Sequence, residues 1–70
     1  MKIENERYVL YQEFNNEVLY LTEDYGFDND IREALKAKNI ITAQFIRSNL
    51  ATKHKCYLDI MPLKITYEWQ

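Results

Sequence analysis

Few side chains in this chain can do chemistry, and their spacing limits what that chemistry is. His54 and Cys56, two positions apart, are the one histidine and the one cysteine. A structural zinc takes about four such ligands, so one copy supplies half a site and a second copy would have to supply the rest. The simpler expectation puts His54 in solvent in a basic loop and Cys56 in the core as a small apolar residue. Nucleophilic catalysis needs a base beside the nucleophile and donors for the developing oxyanion. With one histidine and one glycine, neither is visible. Glu23 with Asp24, and Asp28 with Asp30, are close carboxylate pairs of the kind that acid–base catalysis uses. They precede a helical pattern, where capping accounts for them. No glycine-rich loop could cradle a phosphate. The expectation is therefore a protein that is not an enzyme, with no cofactor and no metal.

Charge gives the binding candidates. The net formal charge is −2, but residues 1–30 hold two basic residues against eight acidic ones, whereas residues 31–55 hold six basic against Glu33 alone. A split of this size points to partners. Glu13, Glu17, Glu23, Asp24 and Asp28 could present negative charge to a basic site on another protein, competing there with nucleic acid. The alternative is a basic face of Arg47, Lys53 and Lys55 binding nucleic acid through residues 42–55, with Arg47, Asn49 and Lys53 on the reading helix of a helix-turn-helix. Against that, the turn lacks glycine, Ala37-Lys38 falls where an apolar residue should lock the helices, and the overall balance is acidic. Two further readings stay open: the two charged regions attract each other within the fold, or the charge simply keeps a tyrosine-rich sheet in solution.

The elements that would position these groups follow from periodicity. Glu6 to Phe14 and Glu17 to Thr22 read as strands, joined at Asn15-Asn16, two residues that tolerate the positive φ of a tight hairpin. Both strands have consecutive apolar residues, so alternation leaves the inward face open; Leu10, Leu19 and Leu21 are the preferred inward set. Gly26 marks a turn or a positive φ. Asp30 with Glu33 has capping-box spacing, and Ile31, Ala34 and Leu35 form one apolar face, which predicts a first short helix stopping at Asn39. Thr42 caps a second helix in which Ala43, Ile46 and Leu50 make a stripe with Phe45 beside it, ending near residues 51–53. Lys55 to Gln70 reads as strand. Its apolar parity is Cys56, Leu58 and Ile60 before Pro62, and Leu63, Ile65, Tyr67 and Trp69 after it, which predicts a bulge or break at Met61-Pro62 on an edge strand.

The sum is one α+β domain, an antiparallel sheet of three to four strands in the order β-β-α-α-β, with both helices on one face. Seventy residues bury only about 60 % of the unfolded surface, and ten aromatic residues exceed what so small a core holds. A homodimer is the expected source of extra burial. The charged N-terminal stretch, without an apolar run behind it, and the lone cysteine set the expectation of a cytoplasmic protein. No run approaches the roughly 20 apolar residues of a membrane helix.

The middle of the chain resembles short proteins carried by phages and prophages of Gram-positive bacteria. The matching residues are Tyr20-Leu21-Thr22, Phe27, Asp30, Ile31, Ala34, Thr42 and Ala43, spread over about 30 positions of caps and core. The resemblance implies a small accessory protein that binds and inhibits a host protein. It implies no catalytic residue. The expected function is thus protein binding through a charged surface, with nucleic-acid binding as the alternative.

Overall fold

Asn15 and Asn16 have φ of 51° and 64°, the left-handed pair that a two-residue hairpin turn requires. They join β1, Lys2–Phe14, to β2, Glu17–Leu21, with Phe14 opposite Glu17 and Tyr11 opposite Tyr20. The computed structural model describes residues 1–68, so Trp69, expected in the last apolar set, and Gln70 lie outside the described residues. β2 leads through a turn to β3, Phe27–Asp28. A three-residue 3-10 turn, Ile31–Glu33, and a single α-helix, α1, Ile40–His54, precede the last strand, β4, Asp59–Glu68. Every strand pairing is antiparallel, and the sheet order is β3-β2-β1-β4.

Among the described residues the fold is therefore α+β with four strands, but it has one α-helix where two were expected. Asp30 does cap the first turn, accepting a hydrogen bond from the Arg32 amide at 2.9 Å. The helix goes no further because the chain after it is drawn into the sheet. Ala34 is already extended, at φ −68° and ψ 142°. Ala34 bridges Thr22 and Ala37 bridges Tyr8, and the Leu35 amide bonds to the Leu21 carbonyl at 2.8 Å. Residues 34–37 thus wedge between β1 and β2 where the two strands part. A helix of so few residues gains little on its own, so these non-local bonds decide the conformation.

Asn39, expected to stop the first helix, instead caps α1. Its side chain accepts from the Thr42 amide at 2.8 Å, and Ile40 and Ile41 form the first turn. Ala43 is fully buried, and Ile46 and Leu50 pack on the core beside it, as the stripe predicted. The helix ends at His54, where Lys55 adopts a left-handed φ of 52° and the Cys56 amide reaches the Leu50 carbonyl. The core gathers Leu10, Leu21, Ala37, Ala43 and Leu58, with Tyr8, Leu35, Cys56 and Ile60 against it. Of the expected inward set, Leu10 and Leu21 are buried and Leu19 is half-buried.

β4 has no bulge. Its register against β1 runs unbroken from Lys2 opposite Glu68 to Tyr11 opposite Asp59. Both backbone groups of Tyr8 bond to Ala37, at 2.9 and 2.8 Å, so they point away from β4. Pro62, opposite Tyr8, consequently faces a position where the ladder asks for no amide. The parity change at Pro62 is a change in which face of the sheet is apolar. Leu58 and Ile60 pack on the α1 side, whereas Leu63, Ile65 and Tyr67 stand on the other face.

Candidate functional site

The turn between β2 and β3 is held by its own polar groups. The Tyr25 amide bonds to the Thr22 carbonyl at 3.0 Å, and the Gly26 amide bonds to Thr22 Oγ1 at 3.1 Å and to Asp24 Oδ1 at 3.2 Å. The Thr22 hydroxyl also donates to Asp24 Oδ1. These donors, the Thr22 hydroxyl first and the Gly26 amide second, hold the Asp24 carboxyl below its usual range. Of the two readings of Gly26, the turn is where the residue lies, and the positive φ belongs to its neighbour Tyr25, at 61°. A Cβ at Gly26 would come 3.3 Å from Asp24 Oδ1, a tight contact that the Asp24 side chain would have to shift slightly to admit.

A bulky residue in the left-handed region costs about 1–2 kcal/mol, and here the strain aims an aromatic ring at a cleft. Tyr25, 61 % exposed, and Phe27, 39 % exposed, form one wall. Phe45, 68 % exposed, and Asn49 form the other, from α1. Leu21, Ile46, Leu50 and Cys56 line the base, and Lys53 and His54 stand at the end, in a space of about 500 Å³. Ile41, 74 % exposed, extends the Phe45 wall one turn back, so Ile41, Phe45, Asn49 and Lys53 recur every four residues along α1. The cleft is apolar and aromatic, with a basic end.

The sequence-derived candidates fall in different places. Glu13 and Glu17 are exposed at the hairpin tip, opposite Val18 and Phe14, and so on opposite faces of the sheet. Glu23 is exposed in the turn. Asp24 serves the turn, and Asp28 accepts from the Asp30 amide at 2.8 Å. The five carboxylates do not converge on one surface. Of the basic set, Lys53 reaches the cleft. Arg47 is exposed on α1, about a third of a turn round from Lys53, and Lys55 is the exposed C-cap. The described residues form one α-helix, so residues 31–55 do not make a helix-turn-helix. His54, expected in a loop, is the last residue of α1. The ion pairs among the described residues join Glu4 to Lys2 and Lys64, and Asp30 to Arg32; none links α1 to the acidic hairpin.

Sequence reasoning missed Tyr25 and Phe27 because the bonds that place them are local to the turn and carry no sign of the α1 wall that they face across the cleft. Phe45 carried a signal, since it lies off the apolar stripe, four residues from Ile41, on a ridge the core does not use.

Asp30 gives the turn a pH signature. The Arg32 guanidinium, 2.7 Å away, and then the Arg32 amide hold its carboxyl at about 2, below the ordinary value of about 3.9. The folded form favours the charged carboxylate, so its contribution is complete above about pH 4 and is lost as the pH falls toward 2. Carbon-detected NMR titration should show this low midpoint, and Arg32→Ala should raise it part of the way toward the ordinary carboxylate range, because the amide of residue 32 still donates to Asp30.

Among the described residues no three His, Cys, Asp or Glu side chains are grouped to hold a metal ion, and no helix is long and apolar enough to cross a membrane. Comparison with protein-family models, curated proteins and solved structures finds no match to this chain.

Proposed function

We propose that the protein is a non-enzymatic binding module that takes an apolar protein segment, flanked by acidic residues, into the cleft between α1 and the Tyr25–Phe27 turn. The observation that carries this reading is the set of three exposed aromatics, Tyr25, Phe27 and Phe45, around an apolar base with Lys53 and His54 at one end. Exposed aromatic clusters of this kind are where binding energy concentrates. The backbone strain at Tyr25 supports it, because stability alone would favour glycine there. The resemblance to small phage and prophage proteins fits a host protein as the partner, with inhibition as the outcome and the cytoplasm as the place. The acidic residues Glu13, Glu17 and Glu23 then act as solvated charge and not as the contact.

One observation favours a second reading. Lys53 on the cleft that Phe45 and Tyr25 also line resembles the combination of stacking rings and cation that holds single-stranded nucleic acid, with Arg47 and Lys55 nearby in sequence on the same helix and its cap.

Peptide panning, with single-stranded DNA and RNA titrated at low and high salt, separates the two. The protein should enrich peptides pairing aromatic or aliphatic anchors with Asp or Glu. Phe45→Ala should weaken the selected peptide at least about tenfold, as losing an aromatic anchor does. Tyr25→Gly should weaken binding too while raising stability by about 1 kcal/mol in urea melts. No enrichment, or full binding by both variants, would remove the cleft as the site. Tight oligonucleotide binding that falls steeply with salt would move the proposal to nucleic acid.

A further inference from the structure

The two ends of the sheet are built differently. α1 packs on β1 and β4 where the core gathers, but residues 2–7 of β1 are paired with β4 alone, making a two-stranded ribbon in a molecule 46 Å long and 18 Å thick. One face of the ribbon is charged: Lys64 lies 2.8 Å from Glu4, which also pairs with Lys2 at 3.0 Å. The other face carries Ile3, Leu63, Ile65 and Tyr67 beside Asn5 and Arg7, with Ile3 44 % and Tyr67 53 % exposed. A lone ribbon of this kind is marginal in water, and an unpaired edge is a template for another strand.

The outer edge of β4 is that template, and its chemistry selects what fits it. Because the Tyr8–Pro62 pair exchanges no backbone bonds, Lys64, Thr66 and Glu68 also point their amides and carbonyls outward. We propose that this edge pairs antiparallel with the same edge of a second copy of the chain, with Thr66 on the two-fold axis. In that register Lys64 meets the partner's Glu68 and Glu68 meets the partner's Lys64 on the charged face. Ile65 meets the partner's Tyr67 on the apolar face. Glu68 has no ion pair among the described residues, and Lys64 would bridge Glu4 and the partner's Glu68. Moving the axis onto Lys64 sets two lysines against each other, and moving it onto Ile65 puts Lys64 opposite threonine. The register centred on Thr66 alone matches both faces, and it matches them to a copy of the same edge. This surface shares no residue with the cleft, so either can fail without the other.

Sedimentation equilibrium from micromolar to millimolar protein, with amide exchange by NMR, tests it. The chain should dimerise reversibly in that range. The Lys64, Thr66 and Glu68 amides should become protected as concentration rises, while those of Leu63 and Ile65 are protected throughout. Thr66→Pro removes only an outward amide, as Pro62 already does four positions away, and should leave the circular dichroism unchanged and the protein monomeric. Glu68→Lys and Lys64→Glu should each weaken self-association at least tenfold, whereas their equimolar mixture should associate, because every edge pair in the mixed dimer is then of opposite charge. This mixture decides the matter if Thr66→Pro does not fold. A monomer at millimolar concentration, a folded Thr66→Pro that dimerises like the original, or a mixture no tighter than its parts would each overturn the proposal.

Discussion

Leu10→Ala should remove about 3–5 kcal/mol of stability, the cost of a cavity at a fully buried leucine. Leu10 is 0 % exposed, lies opposite Ile60 in β4, and packs in one cluster with Leu21, Ala37, Ala43 and Leu58. It touches the wedge, the helix and the strand pair together, so the surrounding atoms cannot close on the space without moving several elements. A chain of 70 residues has about 4–10 kcal/mol in total, and the substitution removes a large share of it. Urea denaturation should show a midpoint near or below zero denaturant for Leu10→Ala. Leu19→Ala, at a half-buried position on the same face, should cost about 1 kcal/mol. Equal losses at the two positions would mean that the cluster around Leu10 is not the centre of the core.

The parts of the fold legible in the sequence are those set by neighbours along the chain. Asn15-Asn16 announced the hairpin because the φ values it needs are local, and Ala43, Ile46 and Leu50 announced α1 because a stripe at helical spacing needs only one face to bury. Residues 30–38 were misread for the opposite reason. Ile31, Ala34 and Leu35 satisfy a helical pattern, but Ala34 and Ala37 are small enough to lie between two strands, and their backbone partners, Thr22 and Tyr8, are far away in sequence. Asn39 was misread because asparagine serves at either end of a helix; only the Thr42 amide resting on its side chain shows which end it serves. The cleft was invisible for a similar reason. Tyr25, Phe27 and Phe45 belong to segments brought together by the wedge, and the charge split drew attention to carboxylates that mostly hold turns.

Pro62 shows how much one position matters, and moving it by one residue should reverse its effect. At Pro62 the ring replaces an outward amide, so Pro62→Ala should change stability by no more than about 0.5 kcal/mol. Leu63 lies opposite Arg7 at the next position, where the amide points inward to β1. Leu63→Pro deletes a ladder bond, sets the ring against the neighbouring strand and leaves an Arg7 carbonyl without its donor, for a loss of about 3 kcal/mol. Because residues 2–7 have no strand on their other edge, the damage should spread along the ribbon before it reaches the core. Amide exchange should then accelerate from Ile3 to Arg7 while Leu10 and Leu21 keep their protection in mild conditions. A bulge at Met61-Pro62 would have made the two substitutions similar in cost, since a bulged residue leaves the ladder on both sides. An unbroken register makes them differ several-fold, and the ratio of the two losses therefore measures the alternation of inward and outward amides on which the free edge of β4 depends.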